Sequence, residues 1–191
     1  MKLTDRVLQR WRIAKARSFI APGSQILDIG SADGALFRQL GRRKGERCLG
    51  IDPTLKTDIR VDDVPLIAGC FPGDMPAVEP FDVITLLAVL EHFPPSEYEN
   101  LQGGCIKFLK PGGRLIITVP SAAVDRILAV LKFLRLIDGM SLEEHHGYQV
   151  EQTTAIFPAK SFRLLRRKGF QLGLNNLFVF ERIGGTGILN L

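Results

Sequence analysis

Residues 25–43 contain the feature that most limits what this chain can fold into. Gln25 to Ile29 predicts a strand, the run Gly30-Ser31-Ala32-Asp33-Gly34 predicts a turn, and Ala35 to Arg43 predicts a helix. A strand that leads through a glycine turn into a helix brings bare backbone close to a ligand at the helix N-terminus. The motif departs from the dinucleotide fingerprint G-x-G-x-x-G, because Ala32 and Ala35 stand at its second and third glycine positions.

Strand and helix patterns alternate through the rest of the chain. Short apolar runs predict strands at Cys48 to Ile51, Leu66 to Phe71, Phe81 to Leu87 and Arg114 to Val119. Helices are expected from Thr4 to the Pro22-Gly23 pair, Ser96 to Leu109, Val124 to Ile137 and Lys160 to Lys168, followed by a hairpin over Phe170 to Arg182 that turns near Asn175-Asn176. This alternation predicts an α/β fold with a parallel sheet covered on both faces and an antiparallel strand at its end.

Length and cysteine content favour one soluble domain. A chain of 191 residues can bury about 70% of the surface that its unfolded form exposes, so a single core is sufficient. Cys48, Cys70 and Cys105 are widely spaced and form no C-x-x-C pair, which argues against a disulfide framework and against a zinc site. The first twenty residues are charged throughout and lack the apolar stretch of a signal peptide, so a cytoplasmic location is expected.

The formal charge of +5 arises in the first twenty residues, which carry six basic side chains against Asp5. The remaining residues carry 19 basic and 19 acidic side chains, so nucleic-acid binding is not expected. The first helix is expected to bury Val7, Trp11 and Ala14, with Leu8 beside them. Its basic face would then point to solvent, or contact phosphate groups or an anionic membrane.

Asp52 adds a second element to the glycine turn. It ends the second strand 22 residues after Gly30, where a carboxylate can accept hydrogen bonds from both hydroxyls of a ribose. An aspartate that only forms a turn before Pro53 would give the same local sequence. The turn and the carboxylate together favour a nucleotide-like ligand.

With these residues identified, the chain resembles the class I S-adenosylmethionine (SAM)-dependent methyltransferases of the small-molecule type. The resemblance rests on ILDIGSADG at 26–34, LGID at 49–52, FDVITLLAVLEHF at 81–93, LKPGGRLIITVP at 109–120 and RLLRRKGF at 163–170, in the family's order and spacing. It implies a Rossmann-like, doubly wound sheet of about seven strands, mostly parallel with a C-terminal antiparallel hairpin. It also implies one domain over residues 1–191, with a basic N-terminal helix at 1–20 and an acceptor-side cap insertion at 121–160.

The same resemblance implies SAM as cofactor, with S-adenosylhomocysteine (SAH) as its product. Carried over by position, Asp28 closes the first strand, Asp52 holds the ribose, and the loop against the methionine part contains Gly30, Ser31, Ala32 and Gly34. Phe71 would lie beside the adenine, and Leu87 and Ala88 would line the pocket at the end of the fourth strand.

Two positions depart from the family pattern. Ala32 stands where the family often has glycine, a change that a loop at negative φ accepts. Cys70 stands where an acidic residue commonly accepts a hydrogen bond from the adenine amino group, and Asp74 is the candidate to replace it.

Three histidines are the candidates for catalysis: His92, His145 and His146. All three follow the carboxyl ends of strands, where open α/β sheets bind ligands. If the acceptor is a hydroxyl, histidine has a suitable intrinsic pKa to take its proton. For His92 the alternative is a structural side chain packed against the sheet at a helix start. No pair has the spacing of a helical metal site, so no metal is predicted.

The predicted function is transfer of a methyl group from SAM to a small, hydrophobic acceptor by in-line displacement. Val124 to Ile137 is apolar nearly all round, so it is expected to line an acceptor pocket, rest on a membrane surface or form a homodimer interface. It is too short and too charged to span a bilayer. The alternatives are a nucleic-acid methyltransferase, a nicotinamide-dependent dehydrogenase and a SAM-binding module without activity.

Overall fold

A single mixed sheet organises the part of the chain that the computed structural model describes, which is residues 3–121, 149–171 and 173–184. The strands of this part are β1 (Ile26–Ile29), β2 (Leu49–Asp52), β3 (Ile59–Val61), β4 (Val64–Ala68), β5 (Phe81–Leu87), β6 (Leu109–Pro120), β7 (Phe162–Phe170) and β8 (Asn175–Arg182). They are arranged in the order β3-β4-β2-β1-β5-β6-β8-β7. The helices are α1 (Leu3–Arg17), α2 (Ala35–Leu40), α3 (Tyr98–Phe108) and α4 (Gln152–Ile156).

The centre of the sheet is parallel and buried on both faces. β4, β2, β1, β5 and β6 run in one direction, whereas β3 pairs antiparallel with β4, and β8 pairs antiparallel with both β6 and β7. All four residues of β1 are buried, which explains why the central strands are continuous apolar runs rather than alternating ones. The predicted fold class, a mostly parallel α/β sheet with antiparallel strands at its C-terminal end, is confirmed.

Helices cover both faces of this sheet. α1 and α2 bury Ile13, Ala16 and Phe37 on one face, and α3 buries Leu101 and Phe108 on the other. None of the described helices is long and apolar enough to cross a membrane. The parallel strands all end at the same edge of the sheet, and the loops at that edge carry the candidate site.

The prediction of the inward face of α1 is wrong. Ile13 and Ala16 are buried, whereas Val7 and Trp11 are 53% and 46% exposed, and Ala14 is also exposed. The helix has two apolar stripes, and the stripe with the smaller side chains packs against the sheet because it allows a closer approach. The larger stripe therefore faces outwards.

The predicted helix over Lys160 to Lys168 is also wrong, since this segment forms β7. Its leucine and arginine residues favour a helix locally, but pairing along the whole of β8 outweighs that weak preference. Arg163 and Glu181 form a cross-strand ion pair of 2.7 Å. The hairpin turns between β7 and β8, before Asn175, and not at the predicted Asn175-Asn176 pair.

Two smaller differences concern residues 54–80. The strand expected at Leu66 to Phe71 begins earlier, as β4, and β3 was not predicted, because it is three residues long and largely exposed. The predicted helix from Val124 to Ile137 and most of the expected insertion at 121–160 lie outside the described residues.

Candidate functional site

Two adjoining cavities open at the carboxyl ends of β1, β2 and β5. The first, the loop cavity, has a volume of about 430 Å³ and is lined mainly by α1, the turn after β1 and the ends of β2 and β5. The second, the Phe71 cavity, has a volume of about 480 Å³ and is lined mainly by residues 70–73 and 93–100. Gly30, Pro53, Val89 and His92 line both, so the two cavities form one cleft.

Gly30 is required by the geometry of the turn after β1. Its φ is 74°, and a Cβ atom there would lie 2.3 Å from Cγ2 of Val89. Its N–H donates to the carbonyl of Ile51 over 2.9 Å, which ties the turn to β2. Gly34, at a φ of 75°, is the N-cap residue that precedes α2 and does not itself line the cleft.

The expectation of negative φ at Ala32 is wrong. Ala32 has a φ of 44°, and Ala88 at the end of β5 has a φ of 61°. Each left-handed alanine costs roughly 1–2 kcal/mol, because its Cβ crowds the backbone. Both residues line the loop cavity, so strained backbone is concentrated at this site, as is common for binding sites.

Asp52 connects the end of β2 to the strained turn. Its Oδ2 accepts a hydrogen bond of 2.7 Å from the N–H of Ala32. Its Oδ1 accepts from both the N–H and the hydroxyl of Thr54, at 2.8 and 2.5 Å. A carboxylate has about four acceptor positions, so these three bonds leave one free for a ligand. Asp52 therefore shapes the turn as well as bordering the loop cavity.

Asp28 is a buried carboxyl group beneath the same turn. Its Oδ1 accepts a hydrogen bond of 2.6 Å from the hydroxyl of Thr85. Burial raises its pKa to about 7, the Thr85 hydrogen bond lowers it, and the nearby carboxylate of Asp52 raises it further. A carboxyl group with this pKa changes its charge close to neutral pH. Asp28 also lines the loop cavity, so a ligand bound there would respond to that change.

Arg12 is a site residue that the sequence patterns did not identify. It lies on α1 and lines the loop cavity, and its Nε donates to Oδ1 of Asn175 over 3.2 Å. The amide of Asn175 donates in turn to Oε1 of Gln171, and Nε2 of Gln171 donates to the carbonyl of Leu8 at 3.5 Å. This chain of hydrogen bonds fixes α1 to the β7–β8 hairpin and orients the guanidinium group.

Glu91 is buried at the turn that follows β5, and only 3% of it is exposed. Burial raises its pKa to about 7, while the positive charge of Arg12 lowers it. Within the described residues its Oε2 has no hydrogen-bond partner. Glu91 and Asp28 are thus two carboxyl groups that titrate in the same range at this end of the sheet.

His92 is exposed and lines both cavities, and its role in catalysis stays a prediction. His145 and His146 lie outside the described residues.

The other predicted residues divide between the two cavities. Ser31, Leu87 and Ala88 line the loop cavity, and Phe71 lines the Phe71 cavity. The carboxylate of Asp74 accepts a hydrogen bond of 2.7 Å from the N–H of Cys70, so Asp74 supports the loop beside the Phe71 cavity.

The groups along the cleft suit an amino acid joined to a nucleoside. The guanidinium of Arg12 matches a carboxylate, Asp28 matches an ammonium group, and Asp52 matches the hydroxyls of a ribose. The Phe71 cavity offers the apolar walls that a planar base needs. Within the part of the chain that the structure describes, no cluster of side chains suited to a metal ion is found.

The sequence profile of the methyltransferase-domain family matches residues 4–172. The chain therefore belongs to this family, whose members are class I methyltransferases that use SAM as methyl donor. The resemblance inferred from the motifs is confirmed.

Curated relatives include a ubiquinone biosynthesis O-methyltransferase of Pseudomonas fluorescens (strain SBW25), 27% identical over 130 residues that cover 60% of this chain and 54% of the relative. The protein of the same description from Xylella fastidiosa (strain M23) is 24% identical over 164 residues, covering 78% of this chain and 62% of the relative. The chain thus spans less than two thirds of the length of these relatives.

Solved structures with the same fold include the N-methyltransferase NodS of Bradyrhizobium japonicum WM9 in complex with SAH, with a TM-score of 0.65, 20% identity and coverage of 95% of this chain and 88% of that one. Another is the 1,6-didemethyltoxoflavin-N1-methyltransferase of Burkholderia thailandensis, with a TM-score of 0.63, 17% identity and coverage of 95% and 80%. At these identities the likeness shows the fold.

Proposed function

We propose that this protein transfers a methyl group from SAM to a hydroxyl group of a small, hydrophobic ring compound. The observation that carries the proposal is the position of Asp52, which is held by Ala32 and Thr54 at a cleft that Arg12 and Asp28 also line. The acceptor class is supported by the relatives described as ubiquinone biosynthesis O-methyltransferases.

The residues of the loop cavity fit the amino-acid and ribose parts of SAM. Arg12 would bind the carboxylate, Asp28 the ammonium group and Asp52 the ribose hydroxyls. Ser31 supports this fit, because its hydroxyl is buried and has no partner within the described residues. A ribose hydroxyl can use the free acceptor position of Asp52, and a second one can replace the hydroxyl of Thr54.

The Phe71 cavity fits the adenine. Its wall combines the ring of Phe71, which packs against Phe108 with ring centroids 5.9 Å apart, with the side chains of Ile51 and Val89. Cys70 replaces the acidic residue of the family pattern in this wall, and Asp74 is held against the backbone of Cys70. Adenine binding in this protein would therefore depend mainly on apolar contacts.

His92 is the proposed general base. When bound, SAM supplies a methyl group activated by its sulfonium, so the protein mainly has to orient the acceptor and remove its proton. His92 lies at the junction of the two cavities and is exposed, so an incoming hydroxyl group can reach it. The N–H groups of Ala32 and Ala88 donate to Asp52 and to the carbonyl of Thr118, and these bonds hold the strained backbone beside His92 in place.

The proposal is tested by measuring SAH release from SAM in the presence of hydrophobic catechols. His92→Ala should lower turnover by roughly 100- to 10,000-fold and leave SAH affinity nearly unchanged. Glu97→Gln is a suitable control, because Glu97 also lines the Phe71 cavity but is not given a role in proton transfer. Turnover of His92→Ala within threefold of the unchanged protein would exclude the base. Binding of SAH without methyl transfer to any hydroxylated ring would indicate a binding module.

A further inference from the structure

The outward stripe of α1 is not used by the cleft. Val7, Leu8 and Trp11 are 53%, 37% and 46% exposed and lie on the side of the helix opposite Ile13 and Ala16. Exposed apolar side chains are ordinary when scattered, but a contiguous group that includes a tryptophan marks a contact surface.

This stripe continues into a groove between α1 and the edge strand β7. The groove has a volume of about 430 Å³, and its lining includes Lys15, Arg114, Leu165, Arg166 and Lys168. Leu165 is 42% exposed. The hydrogen bond from Gln171 to the carbonyl of Leu8 places the start of α1 beside the end of β7. Lys15, near the end of α1, lines the groove together with Leu165 and Arg166, so the two elements run side by side. We call the surface formed by Val7, Leu8, Trp11 and the groove-lining residues the α1–β7 face.

The α1–β7 face is strongly basic. No acidic residue occurs between residues 6 and 27 or within β7. Arg163 and Arg167, also on β7, pair with Glu181 and Glu151. Within the described residues, by contrast, no carboxylate forms an ion pair with Lys15, Arg166 or Lys168. The face therefore presents apolar side chains bordered by positive charges that no carboxylate of the described residues pairs with.

We propose that the α1–β7 face docks on the surface of an anionic phospholipid bilayer. An amphipathic helix of this kind lies in the interface with its apolar side chains among the acyl chains and its cations near lipid phosphates. Single-stranded nucleic acid fits less well, because Trp11 is the one exposed ring among the residues that form this face, whereas stacking along a strand uses aromatic side chains for successive bases. Addition of a second copy at the β7 edge is opposed by repulsion between like charges.

Docking would bring the cleft next to the lipid. Gln9, Arg12 and Ile13 of the same helix line the loop cavity, so α1 is shared between the docking face and the cleft. A hydrophobic acceptor that leaves the bilayer would then be separated from the site by about one helix diameter. This consequence rests on the proposed function, whereas the docking itself does not.

Trp11 is the only tryptophan of the chain, so its fluorescence reports directly on this face. Vesicles of phosphatidylglycerol and phosphatidylcholine should shift its emission to shorter wavelength, and added salt should weaken the effect. Vesicles of phosphatidylcholine alone should have much less effect. No shift with the anionic vesicles, in protein shown to be folded by its melting curve, would overturn the proposal.

Charge variants locate the face. Lys15→Gln with Lys168→Gln should weaken vesicle binding by about 25-fold, at roughly 5-fold for each charge near the surface. Arg60→Gln with Lys107→Gln is the matched control, because this double variant also removes two positive charges. Arg60 lies on β3, at the other edge of the sheet, and Lys107 lies on α3, which packs on the sheet face opposite α1. Equal losses in the two double variants, or tighter binding of a single-stranded oligonucleotide than of vesicles, would contradict the proposal. If the unchanged protein did not bind SAH, the result would instead refute the proposed function.

Discussion

The affinity of this protein for SAH should fall as the pH drops below about 7, and Asp28 should be the cause. Burial and the neighbouring Asp52 favour the neutral form of the Asp28 carboxyl and raise its pKa to about 7. A bound ammonium group attracts only the ionised carboxylate. Binding should therefore be strong above pH 7 and should weaken as Asp28 takes up a proton.

The expected size follows from this pKa. With a pKa of about 7, roughly nine tenths of the Asp28 side chains are ionised at pH 8 and about one tenth at pH 6. If only the ionised form binds well, the dissociation constant rises about 10-fold over that interval, which corresponds to about 1.4 kcal/mol.

Calorimetric titration with SAH at a series of pH values measures this change. Asp28→Asn should bind SAH with an affinity nearly independent of pH. Glu91→Gln is the necessary control, because burial raises the pKa of Glu91 to about 7 as well and its protonation occurs in the same interval. An Asp28→Asn protein that keeps the full pH dependence, or a Glu91→Gln protein that loses it, would refute the assignment to Asp28.

Three further predictions follow from the same contacts. Ala32→Gly should raise the free energy of unfolding, measured by chemical denaturation, by up to about 1 kcal/mol. The relief of left-handed strain at this position is larger than the cost of the extra conformational entropy that glycine loses on folding. An unchanged or lower free energy of unfolding would show that the turn is not strained. Asn175→Ala should weaken the binding of SAH by roughly 10-fold, because Asn175 orients the Arg12 guanidinium that would hold the SAH carboxylate. The binding of 5′-methylthioadenosine, which lacks that carboxylate, should not change, and Asn176→Ala should change the binding of neither ligand. Equal loss for both ligands in Asn175→Ala would contradict this prediction. Folding raises the pKa of Asp28, so the Asp28 side chain contributes fully to stability below pH 4 and loses that contribution as the pH rises through 7. Asp28→Asn should therefore be more stable than the unchanged protein at pH 8 by up to about 4 kcal/mol. Equal denaturation midpoints of the two proteins at pH 8 would contradict this prediction.

Patterns that depend on burial alone were predictable from the sequence. β5 is buried along almost its whole length, so its apolar run identifies a central strand without knowledge of its neighbours. The positions of Gly30 and Asp52 at the edge of the cleft were predictable because each residue follows or ends a strand and has one distinctive property. Gly30 has the conformational freedom that the turn after β1 needs, and Asp52 has the charge that accepts hydrogen bonds at the end of β2.

Features that depend on tertiary pairing were not predictable. Either apolar stripe of α1 satisfies the helical period, and the close approach that Ala16 allows selects the inner one. β7 has the composition of a helix, and only β8 makes it a strand. Arg12 reads as a solvated basic residue until Asn175, more than 160 positions away, directs it to the cleft. The left-handed φ of Ala32 likewise depends on its hydrogen bond to Asp52.

The most direct measurement is the affinity of Asp52→Ala for SAH by calorimetry, compared with the unchanged protein and with Thr54→Val. Loss of a charge-assisted hydrogen bond to the ribose should weaken binding by about 10- to 100-fold, corresponding to roughly 1.5–3 kcal/mol. Thr54→Val keeps the carboxylate and removes only the hydroxyl that donates to its Oδ1, so its affinity should stay near that of the unchanged protein. An affinity of folded Asp52→Ala equal to that of the unchanged protein would contradict the assignment of this cleft to SAM.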